Sequence, residues 1–123
     1  MTEREFERQL QQFLQLLQKE KTCLIKNQAE KLPELVEKKT AFVPVFSTYE
    51  GTLSVAIKEL IRQIQVQQAE NLLLTEQAIS FQTVLMDAVK ENIKTPANTY
   101  SKYQEKQAVS TAIIDQKMQG VLL

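Results

Sequence analysis

Histidine and tryptophan are absent from the 123 residues, glycine occurs twice, proline three times and cysteine once. Without histidine the chain lacks the usual proton carrier near neutral pH and the commonest metal ligand, which excludes His-dependent catalysis and the ordinary zinc sites. The single Cys23 cannot close an intrachain disulfide. Two isolated glycines make neither a phosphate loop nor a Gly-x-Ser-x-Gly elbow. Charge of one sign is missing too: 15 basic residues balance 15 acidic ones, so no overall field draws the chain to nucleic acid or anionic lipid. No apolar run approaches the roughly 20 residues of a membrane span; the densest, Leu72-Leu73-Leu74, gives way at once to Thr75 and Glu76. The acidic, polar start from Thr2 to Glu7 is unlike a signal peptide. The expectation is a cytoplasmic, non-enzymatic protein with no metal or cofactor and no membrane insertion.

What the chain does have is helix formers. Gln, Leu, Lys, Glu and Ala dominate, 16 positions being Gln, and with little Gly or Pro for turns this predicts an all-α protein. Thr2 and Glu5 form a capping box, after which Phe6, Leu10, Phe13 and Leu17 recur on one face, with Leu14, Leu24 and Ile25 widening it. A first helix of about 2–26 follows. Asn27 to Lys31 reads as a turn, and Pro33 suits the first turn of a second helix of about 33–49 that Pro44 should kink. If Asn27 to Leu32 stays helical, residues 2–49 instead form one kinked rod. Gly51 is expected to take the left-handed conformation, with Thr52 capping the third helix.

From Leu53 a heptad seam runs through Ile57, Leu60, Ile64, Gln67, Asn71, Leu74, Ala78, Phe81, Leu85 and Ala88. It predicts a long third helix over about 52–94, packed in an antiparallel bundle or coiled coil of three helices. Gln67 and Asn71 interrupt the seam and are the candidate register-setting residues. Pro96 ends the helix, leaving a linker and an amphipathic segment over 95–123. Residues 1–94 thus form the bundle. The terminal stripe of Val109, Ile113, Ile114 and Met118 either packs as a fourth helix or lays its apolar face in a partner. Neither Glu3, Glu5 and Glu7, nor Glu34 and Glu37, nor Glu70 and Glu76 places an acidic pair within an apolar stripe, so these carboxylates are expected on solvated faces; the same is expected of Lys38-Lys39, and Cys23 is expected to be buried or neutral.

The layout resembles the FlgN family of flagellar export chaperones. The resemblance rests on Leu16-Leu17 and Glu20-Lys21, on Leu32 and Leu35 with Glu37-Lys38-Lys39, on Asn71 to Ile79, and on Thr99-Tyr100 after the proline. It implies a chaperone that binds the C-terminal amphipathic helices of hook-associated proteins, FlgK-like and FlgL-like, before type III secretion. Val109, Ile113, Ile114 and Met118 are the candidate cargo strip. Tyr100 corresponds to the family's tail tyrosine, linked to docking on the cytoplasmic domain of an FlhA-like export gate, with Tyr103 as the alternative; family members often follow that tyrosine with Gly, where this chain has Ser101. A different class of reading is a structural adaptor or self-assembling subunit, a homodimer through the third helix.

Overall fold

In the computed structural model, residues 1–89, 103–109 and 111–115 are described, and every described element is helical. The expected helix end near Lys94, the Pro96 break, Tyr100 and Met118 lie outside those residues. Helix α1 spans Glu3–Ile25. The Thr2 hydroxyl accepts from the Glu5 amide at 3.1 Å and the Glu5 carboxylate accepts from the Thr2 amide at 3.3 Å, satisfying two otherwise unpaired donors. At its other end Asn27 adopts φ 57°. There the Gln28 amide donates to the Cys23 carbonyl at 2.8 Å and the Asn27 amide to the Leu24 carbonyl at 3.4 Å, the paired bonds of a Schellman stop. A single 3-10 turn, Ala29–Lys31, leads into α2, Leu32–Ala41, with Pro33 in its first turn. The expected second helix does not run through to Tyr49. It breaks at Phe42, and α3 covers Val43–Thr48 with Pro44 again in the first turn, where a missing amide hydrogen costs nothing.

Gly51 does not take the left-handed conformation. Its role is space: a Cβ there would lie 2.5 Å from the Tyr49 hydroxyl, which folds over the turn to donate to the Thr52 carbonyl at 2.6 Å. Nor does Thr52 cap the long helix. The Ser54 hydroxyl accepts from the Ile57 amide at 3.2 Å, and α4 runs over Val55–Val89. Its 35 residues make a rod of about 52 Å.

The long-range pairings give the directions. Thr52 bonds Glu3 and Asn71 bonds Leu17 and Glu20, so α4 runs parallel to α1; Lys39 meets Glu20 while Phe46 meets Phe6, so α2 and α3 run back between them. The terminal segment, helical over 103–109 and 111–115, returns along the bundle. Tyr103 packs with Cys23, Leu24, Leu32, Leu35 and Val36, and Ile114 with the cluster around Phe6 and Phe13.

The seam on α4 is displaced from its expected line. The buried residues are Ile57, Ile61, Ile64, Gln68, Asn71 and Thr75, whereas Phe81 is exposed. The buried line keeps heptad spacing but is turned by one position at every second member, from Leu60, Gln67 and Leu74, which are half-buried, to Ile61, Gln68 and Thr75. The seam is used within the chain, against α1.

Candidate functional site

Two features meet along the terminal segment: a buried polar hub beneath it and an open apolar trough beside it. The hub is centred on Glu20. This residue continues the Phe6-Leu10-Phe13-Leu17 spacing of α1, so the helix turns its carboxylate inward, where it is fully buried. Lys39 of α2, itself buried, donates from Nζ to both carboxylate oxygens at 3.3 and 3.2 Å. Asn71 of α4 donates from Nδ2 to Glu20 Oε1 at 2.7 Å and to the Leu17 carbonyl at 2.9 Å. The Asn71 side-chain oxygen accepts from Gln67 Nε2 at 3.0 Å, and Thr75 donates to the Asn71 carbonyl at 2.9 Å. From the terminal segment comes Tyr103, buried beside Glu20 and Thr75, whose hydroxyl accepts from Gln107 Nε2 at 3.0 Å. One carboxylate therefore joins α1, α2 and α4, with Tyr103 of the terminal segment packed beside it. Burial, reinforced by the negative charge of Glu20, pushes the Tyr103 phenol far above its ordinary value, so it stays neutral.

This corrects one expectation. Lys39 is not on a solvated face; of the pair Lys38-Lys39 only Lys38 is exposed, bonded at 3.3 Å to Glu34 one turn away, and Glu20, which carries no expected site role, is the buried partner of Lys39. The signal was present, since Glu20 and Lys39 each fall where the apolar period of their own helix continues. Cys23 is buried.

Polar satisfaction runs out toward the C-terminal side of the hub. Both side-chain polar atoms of Gln68, the Gln107 oxygen, the Thr111 hydroxyl and one Asp115 oxygen are buried without a partner among the described residues. Burial raises the Asp115 carboxyl above its ordinary value, opposed by the charge of Lys39. The terminal segment is thus seated by Tyr103 and Ile114 but covers several unpaired polar groups between and beside them.

The trough lies on the opposite flank of that segment. Val36, Glu37, Thr40 and Val43 form one wall and Glu105, Lys106, Val109 and Ile113 the other, enclosing about 570 Å³ open along its length. Its middle is aliphatic and its charges sit at the rim, the chemistry of a groove for an amphipathic helix.

The candidate cargo strip is therefore divided. Ile114 is fully buried, while Val109 is 61% and Ile113 39% exposed on the trough wall. Tyr103 is 3% exposed and engaged in the hub. Asn71 and half-buried Gln67 bond to one another and, through Asn71, to α1. No family model, curated protein or solved structure matches the chain. No helix among the described residues is long and apolar enough to cross a membrane.

Proposed function

We propose that this chain is a non-enzymatic helical chaperone of the flagellar export kind, similar to the FlgN family. In this reading it works in the cytoplasm. A bundle of three helices, with its terminal amphipathic segment, holds the C-terminal helices of FlgK-like and FlgL-like hook-associated proteins until they reach an FlhA-like export gate. The observation that carries the reading is the open aliphatic trough between α2, α3 and the terminal segment, with exposed Val109 and Ile113 on its wall. An amphipathic helix needs such a strip to keep its own apolar face out of water before assembly. Tyr100 is the residue proposed for the export gate, Tyr103 being occupied in the hub. An adaptor dimerising through the Leu53 to Ala88 seam is less well supported, because Ile57, Ile64 and Asn71 are already turned into the core.

The test is calorimetry of the intact chain against peptides spanning the C-terminal helices of hook-associated proteins. Binding is expected, and a Val109→Asp, Ile113→Asp double variant should weaken it by about tenfold or more, as expected for losing apolar burial in the groove. Both positions are partly exposed, so the circular dichroism spectrum should not change. Absence of binding by the intact chain, or equal binding by the double variant, overturns the assignment of this site.

A further inference from the structure

α4 carries apolar residues on two opposite sides, the outer ones interleaved with polar residues. One is the core face of Ile57, Ile61 and Ile64; the other carries Val55, Val66, Leu73 and Val84, each between 53% and 86% exposed. At 100° per residue these four fall within about 20° of one another, directly behind the core face. Single exposed apolar residues are ordinary on a protein surface; these four share one line, with Glu59 and Arg62 between the first two and Gln77 and Ser80 between the last two, so any contact along it alternates apolar and polar.

Their spacing is palindromic. Val55 stands as far before the point between Ala69 and Glu70 as Val84 stands after it, and Val66 and Leu73 share that midpoint. A two-fold axis through the midpoint, perpendicular to α4, would lay Val55 against Val84 of a second copy and Val66 against Leu73 of that copy. A closed two-fold dimer requires this self-complementarity, which arbitrary spacings do not have. Charge fits the same register. Arg62, which bonds Glu59 of its own helix at 3.4 Å, comes level, within one residue of rise, with Glu76 of the other copy on the same side of the contact, and the juxtaposition occurs twice. Glu70, next to the axis, is already paired with Lys21 at 2.6 Å, which limits its repulsion from its own symmetry mate.

From this juxtaposition we propose that the outer face of α4 binds a second copy of this chain, as an antiparallel two-fold dimer centred between Ala69 and Glu70. The contact leaves the trough free and does not rest on the chaperone reading. It also differs from dimerisation through the heptad seam, which the core occupies.

Sedimentation velocity of the full chain over a range of concentrations tests it. The mass should rise from 14.1 kDa toward twice that value. Leu73→Glu, at an exposed position and so expected to fold, should remain at monomer mass. Register is read by cross-linking: Ala69→Cys, near the axis, should form a disulfide dimer, whereas Val55→Cys should not, its copies lying about 43 Å apart along the helices. The wild-type chain, with Cys23 buried, is the uncross-linked control. A monomeric wild type at every concentration, a dimer that survives Leu73→Glu, or cross-linking at Val55→Cys matching that at Ala69→Cys each overturns the proposal.

Discussion

The two ends of this bundle are held by opposite chemistry. At one end Phe6 stacks on Tyr49 with ring centroids 3.9 Å apart, and Phe13 meets Phe42 and Phe46 edge-on at 5.6 and 5.2 Å. Aliphatic residues of α4 fill the remaining space. At the other end the buried Glu20 carboxylate is ringed by Lys39, Asn71 and Tyr103. The aromatic end gains stability from area removed from water and tolerates small shifts, because dispersion is non-directional. The hub gains little net stability, since desolvating two charges offsets most of their attraction, but it accepts only one arrangement of four elements. The difference separates what holds the chain compact from what selects its register.

The largest expected effect breaks the hub. Lys39→Met leaves the Glu20 charge buried and unpaired and should cost about 3–5 kcal/mol. Phe13→Ala at the aromatic end should cost a similar 3–5 kcal/mol by opening a cavity. The two are separated by a second substitution: replacing Glu20 by Leu in the Lys39→Met background should recover most of the loss in urea unfolding, since no charge is then stranded. Failure to recover would show that the ion pair supplies net stability and that the contrast between the ends is wrong.

A smaller effect sharpens the comparison at the edge of the hub. Both polar atoms of the Gln68 side chain are buried without partners, so Gln68→Leu should raise the unfolding free energy by about 1–2 kcal/mol. A thermal melt that falls instead would mean that Gln68 is satisfied in solution.

The smallest effect depends on pH. Burial raises the Asp115 carboxyl, so the folded chain holds this proton more tightly than the unfolded chain does. Its contribution is fully present below the ordinary carboxylate value and is lost as pH rises through the folded value. Asp115→Asn should therefore raise the melting temperature slightly at pH 7 and not at pH 3. An equal gain at both pH values would assign the effect to something other than charge.

Elements with local signals were legible in the sequence. The capping box, the Pro33 start and the long uninterrupted helix each depend on residues within a turn or two. Glycine adopts the left-handed conformation most easily, which points to Gly51; Asn27 takes it instead, and Gly51 serves the Tyr49 ring. The seam is displaced because two lines of equal heptad spacing share Ile57, Ile64 and Asn71, and the count alone does not choose between Leu60, Gln67 and Leu74 and the buried Ile61, Gln68 and Thr75. The hub was missed for a related reason. Glu20 and Lys39 continue the apolar period of their helices, but each reads as a surface charge until the other, 19 residues away, is known to face it. Of the candidate strip, Val109 and Ile113 face the trough while Ile114 faces the core, a division that a stripe of similar residues does not reveal.

The hub also imposes an order in time. Apart from Ile114, the core cluster at the aromatic end is drawn from the first 64 residues, whereas the cage around Glu20 is completed only by Tyr103 and Gln107. On a ribosome adding about 5–20 residues per second, the aromatic end has its partners seconds before the hub does. During that interval Glu20 and Lys39 can pair, but the carboxylate still lacks the cover of Tyr103 and stays open to water. The nascent chain thus passes through a stage in which one end is assembled and the other is still hydrated.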